Sequence, residues 1–164
     1  MDTRSGIVLL GALIGVLVVA FVLIFPPVSV VDPGKYDTAT VTIHDEAGAE
    51  LATVDVRIAD TKEKRRVGLM RTESLANGSG MLFVHPRDGT YTYHMENMAF
   101  DIDIIFVDAS GTITSIHQAA APGPDETTDT YTGRGRYVLE VPRGFTEAAD
   151  IRVGHRVEIP DDVG

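Results

Sequence analysis

The sequence predicts a mainly β domain: a single sandwich or jelly-roll-like unit or a partly closed barrel, with one short helix, preceded by one N-terminal transmembrane helix. Three observations predict it. The chain from Gly6 to Phe25 is a run of twenty residues without a charge or a strongly polar group. Beyond it, short segments of two-residue alternation recur at spacings of about ten residues, punctuated by Gly, Pro, Asn and Asp. Helical spacing of apolar residues is confined to one stretch after Asp60.

As a helix rising about 1.5 Å per residue, the run from Gly6 to Phe25 spans about 30 Å, the thickness of a bilayer's hydrocarbon core. A cleaved signal peptide would have an apolar core of only about 7–15 residues and a small-residue cleavage site. The following Phe25-Pro-Pro-Val-Ser-Val offers no such site. Pro26 and Pro27 stop the helix, because proline brings no amide donor and clashes with the preceding turn. Residues 1–25 are therefore read as a membrane anchor, 26–39 as a tether with a Pro33-Gly34 turn, and 40–160 as the β domain. Arg4 before the span favours the N-terminus inside and the domain outside, a single-pass protein of the cell membrane.

With no cysteine, disulfides and thiolate chemistry are both excluded. The 24 acidic residues outnumber 14 basic ones for a net charge of −10, with lysine only at 35, 62 and 64. That balance excludes nucleic acid as a partner and disfavours an anionic membrane surface. It also matches a protein of a high-salt organism, read here as a halophilic archaeon, where screening suppresses self-repulsion.

Within the domain, residues 40–44 and 51–58 alternate apolar and polar about a Glu46-Ala-Gly-Ala turn, and predict a β-hairpin with one wet face. Asp60 with Glu63 predicts a capping box and a short helix through about Met70, weakened by Gly68. Residues 77–80 form a loop, 81–85 a strand, and Pro86-Arg-Asp-Gly89 a turn. Strands follow at 91–98 and 102–108, then a tight turn at 109–111 and a strand at 112–117. The Pro-, Gly-, Thr- and Asp-rich residues 119–132 predict a long surface loop. Strands at 136–141 and 155–159 bracket a helical turn near 146–150. About eight strands result, with no internal repeat and no alternation of strand, helix and strand.

Five ordered segments are familiar: Arg66-Val-Gly-Leu-Met70, Gly80-Met-Leu-Phe-Val84, His94-Met-Glu-Asn97, Ile102 to Asp108 with Gly111, and Leu139-Glu-Val-Pro-Arg-Gly144. Together they resemble the domain of unknown function 192 family over roughly Val54 to Ile159. The resemblance implies a compact, mainly β domain with one short helix, and carries no established activity. The chain departs from the family pattern at three places. His94-Met95-Glu96-Asn97 replaces Trp-Met-Lys-Asn, Asp101-Ile102-Asp103 replaces Pro-Leu-Asp, and Gly154-His155 replaces Gly-Asp.

Asn97 and Asp103 are the foremost polar candidates for a ligand site, and local backbone hydrogen bonding is their plain alternative. Glu96 and Asp103 are the candidate general bases of a carboxylate site, Asp103 being placed by parity on the face of Ile105. Arg71 and Arg66 offer guanidinium groups to a carboxylate or phosphate, and Glu140 lies in one of the family segments. Met70, Met81, Met95 and Met98 with His85 and His94 are the residue types of a soft-metal, Cu(I)-handling site, although methionine is also an ordinary gap-filler of cores. No metal and no cofactor are expected. Asn77-Gly-Ser79 is an N-glycosylation sequon in an expected loop. No serine-hydrolase, phosphate-loop, dinucleotide or zinc-protease motif occurs. The expected function is a membrane-anchored module binding a small ligand or a protein partner. A hydrolase or isomerase is the alternative and metal handling a minor one.

Overall fold

The computed structural model describes residues 35–123 and 126–163. The expected anchor and most of its tether lie outside them. Among the described residues no helix is long and apolar enough to cross a membrane.

Among the described residues seven strands and two short α-helices follow in order, before a 3-10 turn at Asp161–Val163: β1 (Thr38–His44), β2 (Glu50–Ala59), α1 (Lys62–Val67), β3 (Ser79–His94), β4 (Ile102–Val107), β5 (Ile113–Ala119), β6 (Thr130–Pro142), α2 (Phe145–Ala148) and β7 (Arg156–Glu158). They form one sheet in the order β5-β4-β6-β3-β2-β1-β7. The outer strands β5 and β7 approach each other at one end. Ile113 N donates to His155 O at 2.9 Å, and Val157 N to Gly111 O at 2.8 Å. The sheet thus curls into a half-barrel. Of the architectures expected, the partly closed barrel is the one observed, and a two-sheet sandwich is not formed.

Curling gives the sheet two differently filled faces. The inner face gathers residues of all seven strands, among them Ile43, Val56, Leu82, Ile105, Ile113, Leu139 and Val157, all buried. The outer face buries Met81, Phe83, Ile102, Ile104, Phe106 and Val138 under Leu69 and Met95 from the loops that follow α1 and β3. Since successive side chains alternate faces, β4 is buried on both sides, Ile105 and Val107 inward, Ile104 and Phe106 outward.

Three expectations are corrected. Pro86 to Gly89 is no hairpin turn but an excursion inside one long β3. Val84 pairs with Tyr137 and Gly89 with Gly135, so five steps along β3 match two along β6. Proline lacks a ladder donor and glycine tolerates distortion, which suits both to a bulge. The loop expected over 119–132 is shorter, because β6 begins at Thr130, where Thr130 pairs with His94 and Tyr131 with Tyr93. One parallel pair also exists: β2 and β3 run side by side, joined across α1, the long crossover that parallel pairing requires.

At α1 the N-cap is Thr61, whose hydroxyl accepts from Lys64 N at 3.1 Å. Asp60, the expected cap, instead pairs with the Lys64 ammonium at 3.0 Å. The helix ends at Gly68, earlier than expected, in a left-sided conformation with φ of 49° that suits glycine.

Candidate functional site

Glu140 interrupts the apolar run Tyr137-Val-Leu-Glu-Val141, and the ladder decides where it points. It pairs with Met81 on β3 and Ile104 on β4, both on the outer face. Glu140 therefore projects outward between two apolar neighbours, and only 6% of it remains exposed. Among the described residues it has no hydrogen-bond or ion-pair partner. Burial pushes its carboxyl up to about 8, because removing water disfavours the charged form. At neutral pH it is mostly a neutral acid, able both to donate and to accept.

This carboxyl sits at the floor of a cleft of about 570 Å³, within the range of small-molecule sites. One wall is α1 and the segment after it, with Lys62, Arg65, Arg66, Leu69 and Met70. The other is the end of β3 and the loop after it, with His94, Glu96, Asn97 and Met98. Phe83, His85, Tyr91 and Tyr93 of β3 share the floor with Glu140. The walls meet where the Asn97 side-chain amide approaches the Met70 sulfur at 4.0 Å. Asn97 holds a left-handed φ of 57°, which asparagine tolerates better than most residues. It therefore shapes a turn, where the sequence suggested a strand position.

The floor is a linked set of rings. His85 stacks on Tyr91 with centroids 3.5 Å apart, and its Nε2 lies 2.9 Å from the Tyr93 hydroxyl. Tyr93 meets Phe83 edge-on at 5.1 Å and Phe106 at 5.7 Å. Burial lowers the His85 imidazole to about 4, helped by the nearby Arg65 cation. Burial and then Glu140 raise the Tyr93 phenol. His85 and Tyr93 are thus uncharged at neutral pH, a neutral hydrogen-bonding pair beside a neutral acid. Arg65 is fixed by its Nη1, which donates to Val84 O at 2.7 Å and Asp60 O at 2.5 Å.

The sequence candidates divide. Glu140, Glu96 and Asn97 converge on the cleft, joined by Arg66. Arg71 is exposed just beyond Met70 and does not line it. Asp103 is elsewhere: it pairs with Val141 and faces inward, away from Glu140. Its oxygens accept from Gly144 N at 3.2 Å, Thr146 N at 3.0 Å and Thr146 Oγ1 at 2.7 Å. They hold the entry of α2, so a common acid–base site of Glu96 with Asp103 is not assembled. Of the soft-metal candidates, Met81 and Met95 are buried in the outer-face core. Met70, Met98, His85 and His94 line the cleft, with His85 already engaged by Tyr93. Asn77 is exposed in the loop before β3. Lys62, Arg65, Tyr91 and Tyr93 were not singled out from the sequence. The one signal available for them was the parity of β3, which puts Tyr91 and Tyr93 on one side.

A family model matches residues 42–159, that of DUF192, described as an uncharacterised ACR. The chain belongs to this family, whose function is unknown. It is also similar to a Sinorhizobium meliloti protein described as a candidate transcription regulator, with 27% identity and a TM-score of 0.67, over 76% of this chain and 95% of that one. A protein of unknown function from Novosphingobium aromaticivorans gives 28% identity and a TM-score of 0.66, over 81% of this chain and 89% of that one. No curated protein matches.

Proposed function

We propose that this chain is a binding module whose outer-face cleft takes a small molecule against Glu140. The observation that carries the reading is the buried carboxyl without a partner at the floor of an open cleft. Glu140 offers the cleft a carboxyl that no protein group among the described residues engages. A ligand group that hydrogen-bonds it does so in a poorly hydrated place where such a bond is strong, which makes the site selective for ligands carrying such a group. The run from Gly6 to Phe25 would hold the module at the membrane, N-terminus inside, with the domain exposed outside the cell. The acidic, lysine-poor composition supports the further reading of a halophilic archaeal origin.

The test is a thermal-shift screen at high salt with sugars, peptides and organic acids, each hit repeated on Glu140→Ala. A ligand at a hundred times its Kd stabilises the native state by about 2.7 kcal/mol. The reading requires a hit whose shift disappears in the variant. Shifts that persist unchanged in Glu140→Ala, or no shift with any compound, would overturn it.

A second reading has one specific observation behind it. A carboxyl kept protonated near neutrality beside a tyrosine is the arrangement of a general acid. Glu140, not Asp103, would then carry a hydrolase or isomerase reaction, and Glu96 on the rim would be its candidate base.

A further inference from the structure

The cleft's charge is opposite to that of the chain. In a protein of net charge −10, its walls carry Lys62, Arg65 and Arg66, against Glu96 and Glu140 as the acids among the lining residues. Lys62 and Arg66 are exposed, and among the described residues neither makes an ion pair. Glu96 lies 3.8 Å from the His94 ring. Leu69, Met70, Phe83 and Met98 give the same cleft an apolar part. A cationic lip, an apolar wall and a neutral acid at the floor form a graded site.

Resting on the binding reading above, we propose that the cleft takes a small organic acid, a carboxylate on a hydrocarbon or aromatic body. The carboxylate accepts a hydrogen bond from the Glu140 carboxyl, and the field of Arg66 and Lys62 at the lip draws it in. The body lies on Phe83, Leu69 and Met98. An ammonium ligand is disfavoured, because it would meet three cations on entry and an uncharged acid at the floor. A charge-assisted hydrogen bond is roughly twice as strong as a neutral one, which favours a carboxylate over its alcohol.

The groups facing Glu140 bound the pH behaviour. From β3 these are Tyr93, Tyr91, His85 and, at its end, His94; from α1, Lys62, Arg65 and Arg66; and from the loop after β3, Glu96. His85 and Tyr93 keep one protonation state between pH 7 and 9.5, a window above the ordinary imidazole range. Across that window Glu140 ionises and meets the ligand carboxylate as a like charge.

Calorimetry with octanoate, octanol and octylammonium on the full chain in detergent, with protein-free detergent as the blank, tests this. Octanoate should bind tightest at pH 7 and weaken about tenfold or more by pH 9.5. Glu140→Gln, a neutral donor at every pH, should abolish that weakening. Arg66→Ala, an exposed change that leaves folding intact, should weaken octanoate and leave octanol unchanged. Octylammonium binding tighter than octanoate would overturn the proposal, as would an octanoate affinity indifferent to pH. Should octanol bind as well as octanoate and lose affinity in Glu140→Ala, the ligand class is wrong and the binding reading stands. Should none of the three bind, the proposed class is refuted, and the wider screen decides the binding reading.

Discussion

Asp103 and Thr146, 43 positions apart in the chain, are joined twice: one carboxylate oxygen accepts from both the Thr146 amide and its hydroxyl, at 3.0 and 2.7 Å. This buried contact ties the centre of the half-barrel to the entry of α2. It accounts for an acid inside an otherwise apolar strand without invoking a reaction. Asp103→Asn should therefore destabilise the domain by about 2–3 kcal/mol, because a side chain whose two oxygens serve several buried donors becomes an amide that can face them with only one oxygen. Urea unfolding measures it, and ligand binding by the folded variant should be unaffected. A stable variant that has lost binding would reassign Asp103 to the site.

Glu140 should make the domain less stable as pH rises. Its carboxyl has an unfolded value near 4.5 and is raised to about 8 in the fold. Between these values the native state holds a proton that the unfolded state has released, so stability falls by about 1.4 kcal/mol per pH unit until the folded value is passed. His85, lowered to about 4, acts in the opposite sense, its contribution being lost as pH falls below the ordinary imidazole value. The interval from about 7 to 8 therefore belongs to Glu140. Denaturation midpoints at pH 6, 7, 8 and 9 should decline and level off, and Glu140→Gln should flatten the curve. A wild-type curve that is already flat there would mean that Glu140 is paired or hydrated.

Gly133 is a steric requirement of the outer face. A Cβ at this position would collide with the Phe106 ring and lie 2.6 Å from Ser115 Oγ. Gly133→Ala should cost about 1–3 kcal/mol as an overpacked site, read as a fall in Tm. An unchanged Tm would show that Phe106 can move aside.

Protease applied to right-side-out vesicles should release a soluble fragment beginning in residues 26–39. The physical basis is the run from Gly6 to Phe25, long enough to span a bilayer without strain. Cleavage only after the membrane is breached would reverse the orientation. A mature chain that washes off and starts near Val30 would make the segment a signal peptide.

How much of this was legible in the sequence differs between fold and site. Alternation in residues 51–58 located β2 closely, because one face of that strand is wet and the other dry. The same rule misread β3. Pro86 and Gly89 look alike whether they turn a chain back or bulge it out, and only pairing with β6 decides between them. The start of β6 was hidden by the Thr and Gly of residues 130–135, a composition shared by loops and by a ribbon extending past the core. Asp103 was placed on the correct face by parity, yet parity cannot show that Thr146 waits there, since that partner comes from 43 positions away. Glu140 was picked out only as part of a family segment. Its isolation depends on Met81 and Ile104 as lateral neighbours, which sequence does not reveal. The cationic wall was illegible for the same reason: nothing local says that α1 packs beside Tyr93 and not over the hairpin.

The cleft over Glu140 is where a ligand should bind. The most direct measurement is amide and methyl NMR of the domain during a titration with a mixed set of small organic compounds. Shifts should concentrate on Phe83, Tyr93, Met98 and Glu140, and on Leu69 and Met70 across the cleft. Perturbation confined to the far side, around Ser110, Arg136 and Arg156, or no saturable change at Glu140, would contradict it.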